Sequence, residues 1–387
     1  MSLRYSFRSL IGILACGAAA GAAASALLWS LAWATGFRQA HPEVLWLLPL
    51  AGLGLGLLSF HLPDEVTMRD VQRSRGLIPR VPLRTAPLAY LGTVITHFFG
   101  GSAGRERSAV VMGAALSDRI ARACGVTPET RRTLLSAALG AGFGAATGAP
   151  LAGAIFGFEY ARLGRPKAGA LAVSLATAFV AHAVARLLRT PHGDFATVGI
   201  PALSAGLVVR LGAAGLALGL ATAAFTGLLH ALERLHARFL RYPPLRPLVG
   251  GLLLVALYGL EGSGRFAGLG LESIAKALNA QSAPEEPFLK AVFTALTLAS
   301  GFQGGEFIPL VFVGSTLGNV LAAFAGLPTA FLAALGFAAV YAGASRVPWA
   351  CAVLSAELFG YAIFPYALVV CHLSHYVATK ATSTDHD

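Results

Sequence analysis

Two stretches of this chain occur twice. FGGSAGRERSAVVMG (99–113) is answered by ASGFQGGEFIPLVFVG (299–314). ALGAGFGAATGAPLAGAIFGFE (138–159) is answered by GFAAVYAGASRVPWACAVLSAELFG (336–360). Gly104 aligns with Gly305 and Gly113 with Gly314; Pro150 aligns with Pro348, Ala152 with Ala350 and Glu159 with Glu357, all at nearly one offset. A chain that repeats its Gly-rich segments in matching positions is built from two related halves, and that restricts the folds open to it.

The setting of the repeats is a membrane. Hydrophobic residues are 56% of the chain, charged residues 12%, and the mean hydropathy is +0.69. A soluble domain carries about 25% charged residues. Apolar stretches recur at 9–34, 43–62, 86–100, 133–158, 168–187, 203–231, 248–260, 288–302, 307–326, 329–344 and 347–373. A span takes about 20 residues, so the pattern predicts about ten crossings, some short or broken. The expected fold is an all-α polytopic membrane protein. Residues 1–387 are expected to form a single transmembrane domain of two inverted repeats, about 40–200 and 201–378, with broken and re-entrant helices and no soluble regulatory domain. Gly-interrupted segments in corresponding places of two halves mark a transporter with its site where the halves meet.

The formal charge of +11 is read loop by loop, because Lys and Arg report sidedness. Arg4 and Arg8 precede the first span, Arg69, Arg73, Arg75, Arg80 and Arg84 follow the second, and Arg234, Arg238, Arg241 and Arg246 follow the 203–231 segment. The N-terminus and these loops are expected on the cytoplasmic side of the membrane, with the turn RQAHPE (38–43) outside. Charges scattered among loops argue against a nucleic-acid partner and for membrane lipid. ILAC (13–16) has the look of a lipoprotein cleavage box, but cleavage there would destroy the first span. Cys16, Cys124, Cys351 and Cys371 show no paired spacing, and the histidines form no HxxxH pair, so no disulfide framework, metal or other cofactor is implied.

The repeated motif has a chemistry of its own. In 100–122 and again in 301–322 a Gly-rich turn precedes an apolar helical segment, and Pro309 suits a first helical turn. Both read as helices that begin inside the membrane. Each N-terminus offers free N–H groups and about half a positive charge. Two such ends make an anion site without a buried full charge. Glycines at 100, 101, 104, 301, 304 and 305 let backbone approach a small ion. Glu106 stands at one of these ends, where its carboxylate competes with an anion for the same N–H groups until a proton removes the competition. The plain alternative is a helix-cap acid paired with Arg105 or Arg107.

These residues resemble the CLC family of chloride channels and proton-coupled anion exchangers, and more narrowly its bacterial fluoride/proton antiporter branch. The resemblance covers about 45–375. GRERS (104–108) falls on the family's GREGP motif and places Glu106 on the gating glutamate. GGEFIPLVFVGSTLG (304–318) falls on the second anion-binding motif, which implies Phe307 and Ile308 beside the anion. With Gly104, Arg105, Arg107, Gly304 and Gly305 they make the candidate anion-contacting set. Tyr160 follows Glu159 where chloride exchangers have a second acid, as in the fluoride branch. The resemblance implies a CLC-type inverted repeat, a homodimer, and exchange of fluoride or chloride against protons. Four departures are visible. Arg107 and Ser108 replace Gly and Pro, HLPDEVTMRD (61–70) lacks an Asn-rich motif, and Thr379 stands where a pore tyrosine is expected, with Tyr376 one turn earlier as the candidate.

Glu159 and Glu357, near helix ends, are read as structural acids rather than proton relays, and His97 as a packing histidine. Ser102 is read as a cap or anion contact. Two further functions stay open at this point. One is an uncoupled anion channel or a non-transporting homologue; the other is an intramembrane serine hydrolase using Ser102 and His97.

Overall fold

The structure is a computed structural model that describes residues 7–63, 80–162, 167–193 and 195–383. Arg4, Arg69, Arg73, Arg75 and most of the 61–70 segment lie outside the described residues. Among the described residues there are fifteen α-helices and no strand, and six helical segments are long and apolar enough to cross a membrane. The helices are α1 (Phe7–Ala40), α2 (Leu48–His61), α3 (Thr85–Phe98), α4 (Glu106–Ala123), α5 (Pro128–Thr147), α6 (Pro150–Tyr160), α7 (Ala168–Leu187), α8 (Ala205–Phe239), α9 (Leu245–Glu261), α10 (Leu271–Asn279), α11 (Glu286–Ala299), α12 (Phe307–Ala325), α13 (Thr329–Ser345), α14 (Pro348–Phe359) and α15 (Phe364–Ser383).

The chain forms two compact units. The first takes 1–33, 63–94 and 105–192, and the second 34–62, 95–104 and 193–387. In the first, α5 packs on α4, α6 and α7 through small residues. A Cβ on Gly113 would stand 3.0 Å from Ala138 O, and Gly153 faces the Gly140 carbonyl and Gly144 in the same way. Such crossings suit lipid, where tight backbone approach replaces the hydrophobic drive. Phe143 and Phe156 stack beside them, their centroids 4.1 Å apart. Asp118, fully buried on α4, ties a second strand of interactions together: it accepts from Val81 N–H at 3.1 Å and pairs with Arg131 at 2.6 Å and Arg122 at 3.4 Å. Its carboxylate thus anchors the chain segment entering α3.

In the second unit α12 crosses α13 at Gly314 and Gly336, where a Cβ on either would run into the other's carbonyl. Gly314 is the counterpart of Gly113, and Gly336 stands where the first half has Ala138. One crossing is therefore drawn twice from one repeated sequence. α13 also packs on α15 and α8, and α9 on α2.

Two of the apolar stretches are broken, as the expectation of short or broken spans allowed. The 133–158 stretch stops at Gly148, left-handed at φ 79°, and resumes at Pro150, whose missing N–H suits a first turn. The 347–373 stretch breaks at Gly360 (φ 100°) and passes through a 3₁₀ turn, Tyr361–Ile363, before α15. The first span runs longer than 9–34, and α10 has no counterpart among the predicted stretches because its nine residues mix apolar with polar side chains. Cys16 is buried inside α1.

Candidate functional site

The two Gly-rich motifs each end at a helix start. α4 begins at Glu106 with Arg105 as N-cap, and α12 at Phe307 with Glu306 as N-cap. Neither start has a side-chain cap on its N–H groups. Most helices of the structure share this; α5 and α8 differ, with Thr127 and Ser204 hydroxyls accepting from Thr130 N–H at 3.2 Å and Leu207 N–H at 3.1 Å. At α12 the missing cap leaves the first N–H groups and their partial positive charge to an anion, while at α4 the Glu106 carboxylate takes the Arg105 N–H.

The residues just before the two caps meet. Gly104 N–H donates to Gly305 O at 2.5 Å, and Gly305 N–H to Gly104 O at 2.8 Å. A Cβ on Gly104 would stand 3.1 Å from Ile308 N, so the absence of a side chain leaves that amide uncovered. Gly304, at φ 152°, has a backbone that a side chain would strain. Phe307 and Ile308 are buried, and Phe307 lies edge-on to Tyr341 with centroids 4.7 Å apart.

The turn leading into Gly104 is pinned at nearly every residue. Ser102 N–H donates to Thr297 Oγ1 at 3.1 Å, its hydroxyl pairs with Thr294 Oγ1 at 2.9 Å, and Tyr258 Oη donates to Gly100 O at 2.7 Å. His97 Nε2 lies 2.9 Å from Ala103 O. These bonds commit His97 and Ser102 to the fold, each with its own backbone or hydroxyl partner, rather than to a nucleophile–base pair.

Glu106 is 1% exposed, and its Oε2 accepts from Arg105 N–H at 3.1 Å. Its Oε1 lies 3.4 Å from Arg105 Nε, a charge contact in which neither atom has a hydrogen-bond partner. Arg105 is 5% exposed and so is a buried partner of Glu106, while Arg107 is exposed. Ser108, in the place of a family proline, pairs its hydroxyl with Thr93 Oγ1 at 2.6 Å.

Other sequence candidates sit elsewhere. Tyr376 is 60% exposed on α15, its ring 6.0 Å from Lys380 Nζ, and does not join the buried cluster around Gly305. Glu159 and Glu357 are half-buried near the ends of α6 and α14. Sequence reasoning passed over Tyr341 and Ser345, whose hydroxyl donates to Glu306 Oε1 at 3.1 Å. The signal was their place in the repeated segment 336–360.

An all-helical membrane fold with interrupted helices and a paired-glycine turn ahead of repeated helix starts defines a class of ion-transport protein. Residues 67–379 match the family described as voltage gated chloride channel, and the chain belongs to that family, whose members are channels and transporters rather than enzymes. The serine-hydrolase reading falls with that finding. The chain is 39% identical over 359 residues to a "Chloride/fluoride channel protein" of Pseudomonas syringae pv. tomato, covering 89% of this chain and 78% of the relative. Its fold matches the crystal structure of a CLC-type fluoride/proton antiporter with a TM-score of 0.91 at 30% identity, over 98% of both chains. It also matches a slow cyanobacterial Cl⁻/H⁺ antiporter at TM-score 0.83, 20% identity and 97% and 95% coverage, a likeness of fold alone.

Proposed function

We propose that this protein is a fluoride/proton antiporter of the bacterial inner membrane, gated by Glu106. The observation that carries the reading is the carboxylate of Glu106 on the N–H of its own N-cap. It occupies the kind of N–H group an inorganic anion would take at a helix start. Protonation removes the charge, the carboxyl leaves the amide, and an anion takes its place. Deprotonation drives the anion off. One group that excludes the anion when charged and admits it when neutral links anion exit to proton entry. The Gly104–Gly305 backbone, the Ile308 amide and Phe307, all in the second unit, are proposed as further anion contacts. The similarity to a fluoride/proton antiporter at 30% identity and to a chloride/fluoride channel protein at 39% supports the choice of anion. By the family resemblance the protein works as a homodimer with one pore per subunit, and its loop arginines put the N-terminus in the cytoplasm.

Efflux from proteoliposomes with simultaneous pH recording tests the reading. Fluoride release is expected to draw protons inward, and Glu106→Gln, which keeps the size of a protonated glutamate, is expected to move fluoride without protons. Fluoride release with no proton movement in the wild type would make the protein a channel. Proton uptake retained in Glu106→Gln would remove Glu106 as the coupling group.

A further inference from the structure

Two cations lie buried in the second unit with no acid on them. Lys290, on α11, is fully buried, and Arg38, near the end of α1, is 8% exposed. Lys290 Nζ donates to Phe266 O at 3.0 Å and to Gly268 O at 2.8 Å, and stands 5.4 Å from the centre of the Phe312 ring. Arg38 donates to His97 O. Neither forms an ion pair among the described residues. The nearest acid along the chain is Glu286, one turn earlier on α11, and it gives its carboxylate to Arg265 at 3.3 Å instead. Carbonyl oxygens take two N–H donors of Lys290 and one of Arg38, and among the described residues no acid balances either group. Charged side chains inside a membrane are rare, pair with other charges or with backbone carbonyls, and mark ion pathways.

Both cations act on one piece of backbone. Arg38 holds the turn before Gly104 at His97 O. Lys290 holds Gly268, whose N–H donates to Gly101 O at 3.2 Å in that same turn. Gly268 lies at φ 63°, and a Cβ there would stand 2.8 Å from Arg38 Nη2, so a bare backbone is what lets both cations close on this loop. The turn they grip ends at Gly104, beside Gly305 and the Ile308 amide. The Phe312 ring lies over the ammonium, and the Phe266 ring packs against Phe312.

We propose that Arg38 and Lys290 are fixed positive charges that set the affinity of the Gly104–Gly305 backbone for a small inorganic anion, the transported ion serving as their counter-charge. Neither touches the anion; they are positioning residues that act through the turn and through their field. The inference deepens the transport reading and rests on it.

The test uses the full chain in liposomes, with fluoride and chloride as probes. Lys290→Gln keeps two N–H donors for the two carbonyls and removes the charge; Lys290→Met removes both; Arg38→Gln removes the second charge. Lys290→Gln and Arg38→Gln are each expected to raise the half-saturating anion concentration about fivefold or more while the maximal rate changes less than about twofold. Lys290→Gln with the wild-type half-saturation, beside a Lys290→Met protein that loses its monodisperse peak, would mean a carbonyl clamp only and overturn the proposal. Should Lys290→Gln itself fail to fold, wild-type half-saturation in Arg38→Gln overturns it equally. Wild-type liposomes that pass neither anion would instead remove the transport reading beneath it.

Discussion

Direction separates the three consecutive charges at the start of α4. Arg105 and Glu106 are buried, and Arg107 is exposed. Successive side chains on a helix point about 100° apart, so a residue next to the gate need not share its path. A guanidinium lining the path about 5 Å from an anion would shift its binding by over about a hundredfold at an effective dielectric near 20. Placed outward, Arg107 has no such leverage. Arg107→Gly, which restores the family residue, is therefore expected to change the initial efflux rate less than about tenfold. A silent wild type that Arg107→Gly switches on would sink the assignment of an active transporter. Much at this scale was legible: a repeated glycine turn followed by an acid needs no coordinates to stand out. The Arg105–Glu106 contact, the Ser345 bond to Glu306 and the exposure of Tyr376 were not. Each depends on where a side chain points or on residues distant in sequence, and neither hydropathy nor spacing carries that information.

At the scale of helices, the repeat is expressed as backbone crossings. The α12–α13 crossing requires a hydrogen at both Gly314 and Gly336, since each faces the other's carbonyl and neither backbone can yield without moving a helix. Gly314→Val is expected to destabilise the protein by about 3 kcal/mol or more, the upper end for overpacking, because the obstacle is backbone rather than a flexible side chain. The measure is the melting temperature in detergent. An unchanged value would show that the crossing is looser than drawn here. Element positions were mostly legible from apolar stretches, but the places of their breaks were not. The 133–158 and 347–373 stretches are apolar throughout, so hydropathy fuses what Gly148 with Pro150 and Gly360 separate. α10 failed the opposite test, being too short and too mixed to register as a span.

For the whole molecule the question is which way it faces, and the second unit answers it within itself. α9 is 17 residues long, about 25 Å, close to the thickness of a hydrocarbon core. At its start lie Arg234, Arg238, Arg241 and Arg246. At its last residue, Glu261 pairs with Arg265 at 3.0 Å, and beyond it Glu272 accepts from Gln39 Nε2 at 3.2 Å. One end is a cluster of arginines and the other is mixed with acids, so the arginine end belongs in the cytoplasm. Gln39 lies at the acid end, which is therefore expected outside. Cysteine labelling checks this directly. Cys16, Cys351 and Cys371 are buried, so Cys124→Ser leaves a quiet background. On that background, Gln39→Cys is expected to react with an impermeant maleimide added to intact cells, and Arg241→Cys only after the cells are opened. The reverse pattern would place the acid end, and with it the Arg38–Lys290 pair, on the cytoplasmic side of the anion path.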